Sequence, residues 1–78
     1  MKTQIDEIYL ISERKRIGQM IKEKREAKGL THHQLAEIIG VSYATISKVE
    51  NGKWNFGIDT VSKFGAALDF KADLASLK

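Results

Sequence analysis

Two short amphipathic stretches separated by one glycine constrain this chain more than any other feature. From Thr31 to Gly52 the sequence reads THHQLAEIIGVSYATISKVENG. Thr31 is a good helix N-cap, and Gln34 stands three residues on, where its side chain completes a capping box. Leu35, Ile38 and Ile39 supply an inward stripe, and Gly40 stops the helix after barely two turns. Ser42 caps the next helix, which turns Ile46 and Val49 inward and ends at Asn51-Gly52. Ala36 is small where two helices cross closely. Leu35, Ile39, Val41, Ile46 and Val49 form a shared core, which leaves Tyr43, Ala44, Thr45, Ser47 and Lys48 facing outward on the second helix.

The flanks extend the helical pattern. A helix is predicted from Ser12, as N-cap, to about Lys28, with Glu13 in its first turn and Gly29 free to take the left-handed conformation behind it. Ile17, Met20, Ile21, Lys24 and Lys28 share one of its faces. A further helix fits residues 58–68, with Ile58, Val61, Phe64, Gly65 and Leu68 on one face and Asp59 in the first turn. Phe70, Ala72 and Leu74 then alternate with Lys71 and Asp73, a period of two that suggests a short strand. Near the N-terminus, Ile5, Ile8, Tyr9 and Ser12 fit a helical face, while residues 8–11 serve equally as a strand. An isolated strand needs a partner, and the C-terminal one of the same or a second subunit is the natural candidate.

Seventy-eight residues make one domain with a modest core. There is no cysteine, hence no disulfide and no zinc-type Cys/His spacing. His32 and His33 are adjacent, so on a helix they diverge and cannot chelate one ion together; no metal and no cofactor is expected. Asp6 and Glu7 interrupt the place where a signal peptide needs an apolar run. No stretch approaches the roughly 20 apolar residues that span a bilayer, so a soluble, cytoplasmic chain without membrane contact is expected. The net charge of +3 is concentrated: residues 12–54 hold nine Lys or Arg against five Glu, whereas residues 55–78 hold three of each. A central excess of this kind suits a polyanion, since neutralising phosphates releases counterions, although a solvated helix face carries similar charge.

The physical needs of groove reading narrow the possibilities. A helix entering a groove about 12 Å wide needs small and polar side chains near its N-terminus, and a preceding helix must hold it against the backbone. The stretches IGQMIKEKREAKGLT, QLAEIIGVS, ISKVENGK and IDTVSKFGAAL together resemble the Cro and phage-repressor type of helix-turn-helix domain, the XRE family. They follow the family's order and spacing over about two thirds of the chain, from Ile17 to Leu68. The resemblance implies an all-α, compact bundle of four or five helices and a homodimer on double-stranded DNA carrying a palindromic operator. A short C-terminal strand, if formed, would serve dimerisation. By position, Tyr43, Ala44 and Lys48 would face base edges, with Ser42, Thr45 and Ser47 beside them. His32 stands where the family has a glutamine that contacts phosphate and steadies the recognition helix, and Asn51 and Lys53 match positions that approach the DNA backbone. Arg25 and Glu50 match a pair that ties the first helix to the third.

The sequence departs from the family's pattern at several points. His32 replaces glutamine; Ala44 offers only apolar contact, for instance to a thymine methyl; a common proline before the fourth helix is missing, with Trp54 and Phe56 in that loop. The resulting division is an N-terminal extension (1–11), a helix-turn-helix domain (12–69) and a C-terminal tail or dimerisation strand (70–78). The function implied is a DNA-binding transcriptional repressor. The alternatives share its fold: an antitoxin that binds a toxin protein, or a restriction–modification controller. An enzyme is not expected, because Ser42, Ser47, the histidines and Glu50 are already assigned to caps, phosphate-facing positions or an ion pair, and no Gly-rich phosphate loop is present.

Overall fold

A computed structural model describes residues 6–53 and 57–71, which contain four helices: α1 (Glu7–Ala27), α2 (His32–Ile39), α3 (Tyr43–Glu50) and α4 (Ile58–Leu68). The all-α class that the family resemblance implies is the class found.

Helix α1 opens earlier than the sequence suggests. Asp6, not Ser12, is its N-cap: the Asp6 carboxylate accepts the Ile8 N–H at 2.9 Å, while Ser12 lies inside the helix and its hydroxyl donates to the Tyr9 carbonyl. A carboxylate caps the free N–H groups and also complements the helix dipole, so the helix begins there, nearly two turns before Ser12. Residues 7–11 are therefore helical, not extended, and they expose Ile8, Tyr9, Leu10 and Ile11. The helix ends at Lys28 and Gly29, the latter at φ +70°, as expected.

The caps of α2 and α3 are those read from the sequence. Thr31 and Gln34 form the full capping box, with Thr31 Oγ1 accepting the Gln34 N–H (3.1 Å) and Gln34 Oε1 accepting the Thr31 N–H (2.8 Å). Ser42 Oγ accepts the Thr45 N–H at 3.1 Å. Between them Gly40 takes φ +76°, which turns the chain sharply enough to bring α3 against α2.

Helix α3 sits at the centre, packed on α1 and α2, and α4 closes over both of those helices. Ile21, Leu35, Ala36, Ile46, Val49, Phe64 and Leu68 form the core, with Ile17, Met20, Ile39 and Val41 partly buried around it. Full burial of a side chain such as Phe64 stabilises the fold by roughly 1.5–3 kcal/mol. Gly18 is buried where α1 crosses the end of α3: a Cβ there would lie 2.8 Å from the Glu50 carbonyl oxygen and closer still to that of Val49. Two inward assignments fail. Ile38 and Ile58 are each 59% exposed, because α2 is covered on one side only and Ile58 stands in the first turn of α4, at its edge. Ile38 and Ile39 of α2 face Lys63, Ala66 and Ala67 of α4 across a shallow apolar groove.

Helix α4 ends at Asp69 in the left-handed conformation, and its carboxylate pairs with Lys28 at 2.5 Å, joining the C-terminal ends of α1 and α4. Phe70 is half-buried against the core, its N–H donating to the Gly65 carbonyl. Phe70 and Lys71 carry no strand structure; the rest of the strand expected over 70–74, like Ile5, Trp54 and Phe56, lies outside the described residues.

Candidate nucleic-acid interface

The region that positions α3 is built from charge as well as apolar packing. Arg25 and Glu50 are both buried, and they meet in the bidentate geometry of a guanidinium on a carboxylate: Nε donates to Oε2 at 2.6 Å and Nη2 to Oε1 at 3.1 Å. Arg25 Nη1 donates to the Leu30 carbonyl at 2.6 Å, so one side chain fixes the α1–α2 corner and the end of α3 together. The bond to Glu50 pushes the Arg25 guanidinium above its ordinary, already very basic range.

His32 joins this network. Its Nε2 lies 3.0 Å from Glu50 Oε1 and its ring is half-buried. An ionised carboxylate only accepts, so with Glu50 ionised as Arg25's partner, Nε2 carries the proton, and in the neutral ring Nδ1 is left as an acceptor. His32 therefore faces the core network as well as the surface, and through Glu50 it ties the start of α2 to the end of α3, in keeping with the helix-steadying role that its place as a glutamine substitute implies.

At the start of α3 two rings meet Tyr43. His33 stacks on it, with centroids 4.4 Å apart and planes 13° apart, and His32 meets it edge-on at 5.3 Å and 67°. These contacts bring the N-termini of α2 and α3 to one side of the molecule. Helix N-termini carry partial positive charge and free N–H groups, which suit phosphate oxygens. The His33–Tyr43 stack was not visible in the sequence, since the partners are separated by a helix and a turn and no periodicity links them.

The outward face read from the sequence is partly confirmed. Ser42, Tyr43, Ala44 and Lys48 are exposed. Thr45 and Ser47 are half-buried rather than fully outward: Thr45 Oγ1 shares a hydrogen bond with Ser42 Oγ (2.9 Å), and Ser47 lies beside the Asn51 side chain. Asn51 and Lys53 are exposed at the opposite end of α3; Asn51 Nδ2 donates to the Ser47 carbonyl at 2.9 Å, and the Lys53 N–H donates to that of Lys48 at 2.8 Å. Among the described residues no group of His, Asp or Glu is placed to hold a metal ion, and no helix is long and apolar enough to cross a membrane.

A short capped helix, exposed at its N-terminal end and anchored through a tight turn and a buried ion pair, defines a helix-turn-helix DNA-binding domain. The helix-turn-helix family model matches residues 21–74, and the chain belongs to that family, the Cro and phage-repressor type. It is 33% identical over 64 residues to the ImmF control region 10 kDa protein of Bacillus phage phi105, a match covering 82% of this chain and 69% of that protein. It is 58% identical over 36 residues to RghRB of Bacillus subtilis (strain 168), named as an uncharacterized HTH-type transcriptional regulator. That match covers 46% of this chain and 26% of RghRB, so the chain spans about a quarter of that regulator's length. Among solved structures, the restriction-modification controller protein C.AhdI from Aeromonas hydrophila superposes with a TM-score of 0.75 at 30% identity, over 86% of this chain and 98% of that one.

Proposed function

We propose that this chain is a sequence-specific transcriptional regulator, a dimeric repressor that lays α3 in the major groove of a palindromic operator. The observation that carries this reading is the exposed cluster of Ser42, Tyr43, Ala44 and Lys48 beside the converging N-termini of α2 and α3. Lys48 supplies a cation to phosphate or to guanine, and Ala44 an apolar contact to a thymine methyl. Asn51 and Lys53 approach the backbone beyond the end of α3. His32 stands at the start of α2 beside this cluster, its Nε2 engaged by Glu50. The relatives named as a control-region protein, a transcriptional regulator and a controller support regulation as the role. The exposed apolar first turns of α1, Ile8 to Ile11, and residues 70–78 are the segments available for dimerisation, and the setting is the cytoplasm. Half-sites then lie roughly 34 Å apart on one face of the duplex.

Selection from a random duplex library with the purified full chain tests this reading. Enrichment of one inverted repeat, bound with a steep negative dependence on salt, is expected. Binding that enriches no sequence would overturn it.

A further inference from the structure

Tyr43 has three properties that combine unusually. It is the first residue of α3, where a groove-reading helix makes its base contacts; it is 47% exposed; and it is nonetheless held by two rings from α2. His33 covers it at stacking distance, and His32 bounds it edge-on while anchored to Glu50, which is itself gripped by Arg25. A continuous chain of contacts thus runs from the buried ion pair out to an aromatic ring on the proposed DNA-facing surface.

An exposed tyrosine on a helix has several rotamers open to it, and a ligand that uses one of them must freeze the rest. A ring already stacked on a neighbour needs no such freezing. Held Tyr43 and the adjacent Ala44 form an apolar pair at the tip of α3, matched to the C5-methyl of thymine, which the major groove displays and which none of the other three standard bases carries. We infer that His33 is a positioning residue for sequence reading: it fixes the Tyr43 ring so that Tyr43 and Ala44 select thymine, without His33 itself reading a base. This rests on the proposed groove-binding function.

The test is a double-mutant cycle read on two duplexes, the selected site and a random sequence of the same length. His33→Ala and Tyr43→Ala are expected to weaken binding to the selected site by roughly three- to tenfold each, to be non-additive in combination, and to weaken random-duplex binding distinctly less. His33→Phe, which keeps the stack and removes the ionisable ring, is expected to restore wild-type affinity. Replacing the selected thymines by deoxyuridine is expected to weaken wild type and to leave the His33→Ala variant little changed. Additive effects, equal loss on both duplexes, or failure of His33→Phe to rescue would overturn the inference and point to a direct phosphate contact. The Tyr43 ring proton shifts of the free protein separate the two levels. If they do not move in His33→Ala the stack is refuted alone, whereas a wild type that selects no site refutes the groove-binding function and the role of His33 with it.

Discussion

The guanidinium of Arg25 in α1 holds the carboxylate of Glu50 in α3 through two hydrogen bonds, and both side chains are buried. Removing one member leaves the other charged and desolvated, which typically costs about 3–5 kcal/mol. For a domain of this size that is a large part of the total stability, so Arg25→Ala is expected to lower the thermal midpoint by on the order of 20–30 °C. Arg25→Lys keeps the charge but not the planar fork that also reaches the Leu30 carbonyl, and is expected to fall between the two. Equal midpoints for wild type and Arg25→Ala would refute a structural role for the pair.

At Gly18 two effects oppose each other. Alanine favours a helix over glycine by about 1 kcal/mol, yet its Cβ would press on the carbonyl oxygens of Val49 and Glu50, which are backbone and cannot swing aside. Overpacking of this kind costs about 1–3 kcal/mol or more. Gly18→Ala is therefore predicted to destabilise the fold, read as a lower urea midpoint; a higher midpoint would show that α1 and α3 are not so close.

Asp69 closes α4 with φ +64° and pairs with Lys28, whose hydrogen bond and charge hold the carboxyl below its ordinary value. A group whose pKa is depressed in the folded state contributes stability above its unfolded value, and that contribution is lost as pH falls through the folded one. The site is exposed, so the contribution is small. Asp69→Asn, which tolerates the left-handed conformation but carries no charge, is expected to melt slightly below wild type at neutral pH and level with it in acid. Asp69→Ala removes the charge and adds backbone strain, and is expected to melt lowest at neutral pH. A wild-type-to-Asn difference that persists unchanged into acid would contradict the pairing.

Lys48 is exposed on α3, on the side away from the core. Lys48→Ala is predicted to lower the thermal midpoint far less than Arg25→Ala does, and to weaken binding to the selected duplex by about 1–3 kcal/mol, seen in salt titrations as lost affinity. A Lys48→Ala variant destabilised as much as Arg25→Ala would move this residue from the interface into the fold.

Those elements whose signals are local were readable from the residues themselves. Thr31, Gln34 and Ser42 act within one turn of their own helix, so α2 and α3 could be placed from the sequence, and glycines at the stops fixed their ends. The start of α1 was read at Ser12 and the cap at Asp6 missed, because the earlier start depends on whether the intervening apolar residues stay helical without cover. Ile38 and Ile58 were misplaced because a stripe at helical spacing does not say how far the neighbouring helix extends over it. At the site, the exposed end of α3 followed from spacing, and the Arg25–Glu50 pair came only from family resemblance. The close approach at Gly18 and the ring stack at His33 depend on residues distant in the chain, which no single sequence pairs.

Amide chemical-shift mapping of the full chain on addition of its selected duplex tests most directly whether α3 is the DNA-facing element. The largest changes are predicted at residues 42–48 and at the start of α2, around His32 and His33, with smaller ones at Asn51 and Lys53. Changes confined to the first turns of α1, or to the groove between Ile38 and Lys63, would contradict it.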